Sequence, residues 1–432
     1  MDREDINGFL ASLEDLNANE HVFLDYTFET FLDPIVAAAE LCQETSTAQW
    51  KRPGVDEDLR PVYAAKLVDF VVLESSGIST FYERGGGASE YIRVKVKIAH
   101  PLVNFGTSLA GFLTAAMGEG AFFSHGITAI KLVDVSFPPR FLDSFEGPAF
   151  GISGLRDYMQ VYDRPFFFGV VKPNVGLDPK SFSELAYEGW LGGLDAAKDD
   201  EMLVDPAYSP FETRTRLVGE KRKAAEDKTG EPKMFIANIT HDLDRMLELS
   251  DIAVSNGVNA VMINVMAVGL AAARKLRGHL GVPLVAHFDC IAPMSMHPWF
   301  GVSTKVMTKL QRLIGCDAII MPGFGLRMKT PDEEVIDNVR ECTNSLGKIA
   351  KALPVPGGSD WAGSLRAIYD RIGHRDFAMV PGRGVFGHPK GPRSGAASLR
   401  QAWDAISGSF DISDYARRHP ELSEAIDAFG GK

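Results

Sequence analysis

At 432 residues the chain is roughly three times a typical domain of about 150, enough for an α/β barrel of about 250 plus a smaller domain. Hydrophobic residues make up 45%, charged residues 24% and aromatic residues 10%, which supplies a core and excludes a fibrous or disordered chain. The formal net charge of -12, with no dense basic cluster, argues against nucleic acid, and no apolar run approaches the roughly 20 residues of a membrane helix.

The start, Met1-Asp2-Arg3-Glu4-Asp5, is acidic and lacks the pattern of a signal peptide. Cys42, Cys290, Cys316 and Cys342 stand in no metal-ligand spacing, and a chain this long needs no disulfide framework, so a reduced, cytoplasmic protein is expected. Residues 1–146 mix alternating strands at His21–Phe28, Tyr91–Ile98 and Thr128–Val135 with helical stretches at Asp33–Cys42 and Thr107–Met117. That pattern predicts a small α+β domain. Residues 147–432 change to short apolar runs, each followed by a turn and a helical segment. The runs are Phe166–Lys172, Leu194–Lys198, Met234–Asn238, Ala260–Asn264, Leu284–His287, Ala318–Met321, Leu353–Pro356 and Phe377–Val380, followed by a helical tail from Ala397. Eight such units predict a (β/α)8 barrel in preference to helical repeats or a doubly wound sheet.

In a barrel, reactive groups gather at the carboxyl ends of the strands. Lys172, Lys198, Asn238, Asn264 and His287 end their runs there. The densest signal is Lys198-Asp199-Asp200-Glu201. Alternation puts Lys198 and Asp200 on one side, and the following loop can bring Glu201 round to join them. Two hard carboxylates suit Mg2+; a lysine can join them only after taking up carbon dioxide as a carbamate. Gly357-Gly358 after the seventh run, and Gly382-Arg383-Gly384 after the eighth, fall where this architecture commonly binds phosphate. A Schiff-base aldolase using Lys172 or Lys198 is an enzymatic alternative. A barrel that only binds is the non-catalytic one.

Phe168-Gly169-Val170-Val171-Lys172-Pro173-Asn174, Gly192 to Glu201, Leu353 to Gly358 and Gly387-His388-Pro389, with Glu44-Thr45-Ser46-Thr47-Ala48-Gln49-Trp50 near the start, resemble the RuBisCO large subunit. The resemblance implies that Lys198 is carbamylated and binds Mg2+ with Asp200 and Glu201. It also implies that Lys172 is the acid-base lysine and His287 an active-site histidine. A homodimer with shared active sites is implied too, in which Glu44 of one chain covers the barrel mouth of the other. Asn174 and Arg327 complete the expected substrate contacts.

Asn174 stands where the family has a second lysine, Phe288 where it has an arginine, Ile320 a histidine and Phe112 an asparagine. Loss of the arginine and histidine leaves no cation for a second phosphate, and charge-assisted contacts are worth about 1.5–3 kcal/mol each. The sequence therefore resembles a RuBisCO-like protein whose sugar-phosphate substrate carries one phosphate, with no ribulose-bisphosphate carboxylase activity. The segments His287 to Pro293, Ile319 to Gly325 and Pro381 to Pro389 resemble most the branch that cleaves a carboxylate carbon from 3-oxo-isoapionate 4-phosphate, by decarboxylation or by transcarboxylation and hydrolysis. The alternative within the family is an enolase or isomerase of a methylthio-sugar phosphate.

Overall fold

The computed structural model describes residues 3–49, 54, 57–81, 88–325 and 327–431; Trp50 of the first motif lies outside them. The chain divides into two compact units. The first comprises Met1–Phe145 with Ile291–Met307 and Leu346–Lys348; the second is the remainder. The division thus differs from a single cut at 146/147.

In the first unit, strands β1 (His21–Thr30), β2 (Lys66–Ser76), β3 (Tyr91–Pro101) and β4 (Ile127–Ser136) form an antiparallel sheet. A two-residue strand, β10 in chain order (Gly301–Val302), adds to it in parallel beside β4, giving the order β10-β4-β1-β3-β2. This pairing recruits the 291–307 segment, which Lys131 ties down further by donating to the carbonyls of Ser295 and His297 at 2.8 Å each. No local sequence pattern announces such a long-range return.

The second unit is an all-parallel eight-stranded sheet. Its strands are β5 (Phe166–Val170), β6 (Ala196–Lys198), β7 (Met234–Asn238), β8 (Ala260–Asn264), β9 (Leu284–His287), β11 (Ala318–Pro322), β12 (Leu353–Gly357) and β13 (Ala378–Met379). Seven parallel pairings link them, and β12 lies beside β13 across the seam. All eight expected runs form strands, so the fold is the α/β barrel with a separate smaller α+β unit. Every second residue points inward, and Phe166, Phe168, Met234, Ile236, Met262, Val285, Ile320 and Val355 pack with Leu155 and Met159 of helix Gly151–Met159 into one core.

Buried charge pins the strand starts. Asp317, fully buried before β11, accepts from the backbone N–H groups of Phe150, Gly151 and Leu284 and from Arg277. Asp195, before β6, accepts from both terminal nitrogens of Arg164 at 2.6 Å and from the Phe167 N–H at 2.8 Å. The four cysteines are free. Among the described residues no helix is long and apolar enough to cross a membrane.

Candidate active site

The inward alternation that builds the core continues one step further at the carboxyl ends. Ala196 is followed inward by Lys198, Ile236 by Asn238, Met262 by Asn264 and Val285 by His287, so apolar layers give way to a polar one at the mouth. Asp199 has the opposite phase. It is fully buried and accepts from Arg214 Nε at 3.1 Å and from the Asn238 N–H at 3.0 Å. Burial raises its pKa while Arg214 opposes the rise. Of the three consecutive acids, it serves structure.

Lys198 is 1% exposed, with Nζ 3.4 Å from Glu201 Oε2. Burial lowers its pKa against the opposing pull of Glu201 and Asp200. Asp200 accepts from Lys172 Nζ at 2.9 Å and, through its other oxygen, from the Met202 N–H at 3.2 Å. Burial opposes ionisation of Glu201, yet Lys198 and His287 beside it hold its pKa down to about 2. Asn238 Nδ2 donates to the carbonyls of Asp200 at 3.2 Å and Glu201 at 2.8 Å, and Asn264 Nδ2 donates to the latter at 3.2 Å. These two asparagines therefore fix the turn that carries the carboxylates.

A cavity of about 840 Å³ opens above this layer. Lys172, Asn174, Lys198, Glu201, His287 and Arg327 line it, as do Gly357, Gly358, Gly382, Arg383 and Gly384. Asp200 is fully buried behind Lys172 and does not line it. The cavity lining also has an apolar part, made of the inward residues Val170, Ile320 and Val380 with Phe288, whose ring stacks on His287 at 4.9 Å. Glu44 belongs to the first unit, where it ends helix Pro34–Glu44 with its side chain exposed. Phe112 also lies there, buried against Phe105, Phe137 and Phe141 as part of an aromatic core.

The glycines serve packing as well as access. A Cβ on Gly382 would stand 2.7 Å from Lys172 Cε, and one on Gly384 would stand 2.3 Å from the Asp360 carbonyl oxygen. Side chains there would push aside Lys172 or separate the loops after β12 and β13.

Sequence reasoning missed Asp360, Trp361, Met328 and Phe429 in the cavity wall. Asp360 is 4% exposed, and burial raises its pKa to about 7. Trp361 and Phe429 have ring centroids 6.0 Å apart, and the Arg383 guanidinium lies 5.8 Å from the Phe429 ring. Asp360 and Trp361 directly follow Gly357-Gly358-Ser359, a usable signal; Phe429, in the last helix, offered none.

Residues 151–429 match the family model for the ribulose bisphosphate carboxylase large chain, catalytic domain. A ribulose bisphosphate carboxylase-like protein of Allochromatium vinosum is 53% identical over 100% of this chain and 94% of its own. A 3-oxo-isoapionate-4-phosphate decarboxylase of Rhizobium rhizogenes is 32% identical over 94% of this chain and 98% of its own. Among solved structures, the octameric ribulose-1,5-bisphosphate carboxylase/oxygenase of Pyrococcus horikoshii superposes with a TM-score of 0.88 at 29% identity, covering 99% of this chain and 97% of that one. With a barrel mouth built on Lys172, Lys198, Asp200 and Glu201 and this likeness along its length, the chain belongs to the RuBisCO large-chain family, and its relatives at 53% and 51% identity are RuBisCO-like proteins.

Proposed function

We propose that the protein is a cytoplasmic, Mg2+-dependent enzyme that removes the carboxylate carbon from a phosphorylated 3-oxo sugar acid of the class of 3-oxo-isoapionate 4-phosphate, releasing it as carbon dioxide or passing it to water. The observation that carries this reading is the 2.9 Å contact between Lys172 Nζ and Asp200, which sets an acid-base amine against the carboxylate pair beside buried Lys198. The 32% identical decarboxylase supports the choice of substrate class.

The donors fit a hard divalent cation. Lys198 is buried next to Asp200 and Glu201, and addition of carbon dioxide to its amine would replace a cation with a third oxygen ligand. Lys198, Asp200 and Glu201 would then hold Mg2+, which when bound supplies Lewis-acid polarisation of a ketone. Gly357, Gly358, Gly382, Arg383 and Gly384 bind the single phosphate, with Asn174 and Arg327 as further substrate contacts. When the bond to the carboxylate carbon breaks, its electron pair passes to the ketone oxygen as an enediolate. Lys172 Nζ then returns a proton to the carbon, with His287 as the alternative donor. Phe288 and Ile320 offer no cation to a second phosphate, so ribulose bisphosphate is not carboxylated. The functional assembly is a homodimer in which Glu44 of one chain covers the other's site. Exposed Phe70, Val71, Val72 and Leu73 on edge strand β2 support coverage of this unit by another chain.

The apolar part of the cavity lining favours one second reading, enolisation or isomerisation of a methylthio-sugar phosphate. Phosphorus NMR with both substrate classes, Mg2+ and bicarbonate separates them. Lys172→Met should keep phosphate-ester binding and lose turnover by at least about 100-fold. Near-normal turnover in that variant, or faster conversion of the methylthio substrate by the wild type, would replace the first reading.

A further inference from the structure

β9 ends at His287, and Asp289, two residues on, lies beside the imidazole it follows. Asp289 Oδ1 is 3.3 Å from His287 Nδ1, and Glu201 Oε2 is 3.4 Å from Nε2. One donor atom from each of the three residues lies within 4.8 Å of the others. The ring is 5% exposed, yet Nδ1 has no hydrogen-bond partner among the described residues, although Asp289 is near. Asn264, opposite His287 in the β8–β9 register, carries another buried acceptor without a partner, Oδ1. Buried polar atoms rarely go unsatisfied.

We infer that Glu201, His287 and Asp289 form a second divalent-cation site, independent of Lys198, that takes a transition metal such as Zn2+ or Mn2+. One imidazole nitrogen with two carboxylates suits those ions, whereas a set made only of oxygens suits Mg2+. Glu201 belongs to both ligand sets, so the two sites share one carboxylate.

The test uses the full chain, stripped by chelator and dialysed in carbon dioxide-free buffer against Zn2+ or Mn2+, with bound metal counted by elemental analysis. Wild type and Lys198→Ala should each bind one ion with similar affinity. Asp289→Asn and His287→Asn should bind at least about tenfold more weakly. The Asp289 side chain is 37% exposed, so its amide variant keeps the fold, which circular dichroism checks. No binding by the wild type, loss of binding in Lys198→Ala, or unchanged affinity in Asp289→Asn would overturn the inference. Mg2+ binding stimulated by carbon dioxide, measured on the same variants, reports separately on Lys198, so failure of one site is distinguishable from failure of the other.

Discussion

Asp360 and Asp195 are both buried carboxyls, and what faces each sets opposite behaviour. Among the described residues the Asp360 carboxyl pairs with no cation; the backbone N–H groups of Val380, at 3.5 Å, and of Gly358 favour its charge, but burial outweighs them and keeps its proton on up to about pH 7. Below that pH it is neutral and compatible with an anion in the cavity it lines; above it, its charge repels one. Sulfate keeps its charge through this range. Its affinity should therefore fall as pH rises through about 7 in the wild type and change less in Asp360→Asn, as read by calorimetry. Identical profiles would remove Asp360 from the anion site. Asp195 is the reverse case: burial opposes its charge, but Arg164 and the Phe167 N–H lower its pKa. A lowered carboxylate contributes stability above its unfolded pKa of about 3.9 and loses it as pH falls through the folded value. Asp195→Asn should cost about 3–5 kcal/mol at neutral pH, and the gap to wild type in denaturant melts should close below about pH 4. A gap independent of pH would contradict this. Lys198, Glu201 and His287 were legible because each stands at or just after a strand end. Asp360 was not, since an acid in a loop ordinarily reads as solvated.

At the scale of elements, the barrel strands were legible because each is a short, fully buried apolar run bounded by polar turns. β2 escaped notice because exposed Phe70, Val71, Val72 and Leu73 are consecutive and break the alternation of a half-buried strand. The glycine pairs were read as ligand cradles, and the structure adds a second reason for them. The loops after β12 and β13 touch through Gly384, so Gly384→Ala must move the Asp360–Trp361 backbone. The expected cost is about 1–3 kcal/mol of overpacking, seen as a lowered thermal midpoint together with weaker sulfate binding. An unchanged midpoint would show that the loops separate freely.

For the whole molecule, the sequence reading cut the chain once, whereas 291–307, through its pairing with β4, and 346–348, where Lys348 donates to the Asp143 carbonyl, group with the first unit in a way that no local pattern encodes. The barrel itself brings residues as distant in sequence as Lys172 and Arg383 into one cavity, and the proposed chemistry rests on that convergence. Its central claim is that Lys198 becomes a metal ligand by binding carbon dioxide. Carbon-13 NMR of protein supplied with labelled bicarbonate and Mg2+, with initial turnover followed by phosphorus NMR in the same samples, tests it most directly. The expected result is a carbamate signal that appears with turnover in the wild type and is absent, with turnover lost, in Lys198→Ala. Full initial turnover by protein exhaustively stripped of Mg2+ and carbon dioxide, with no carbamate signal, would contradict it.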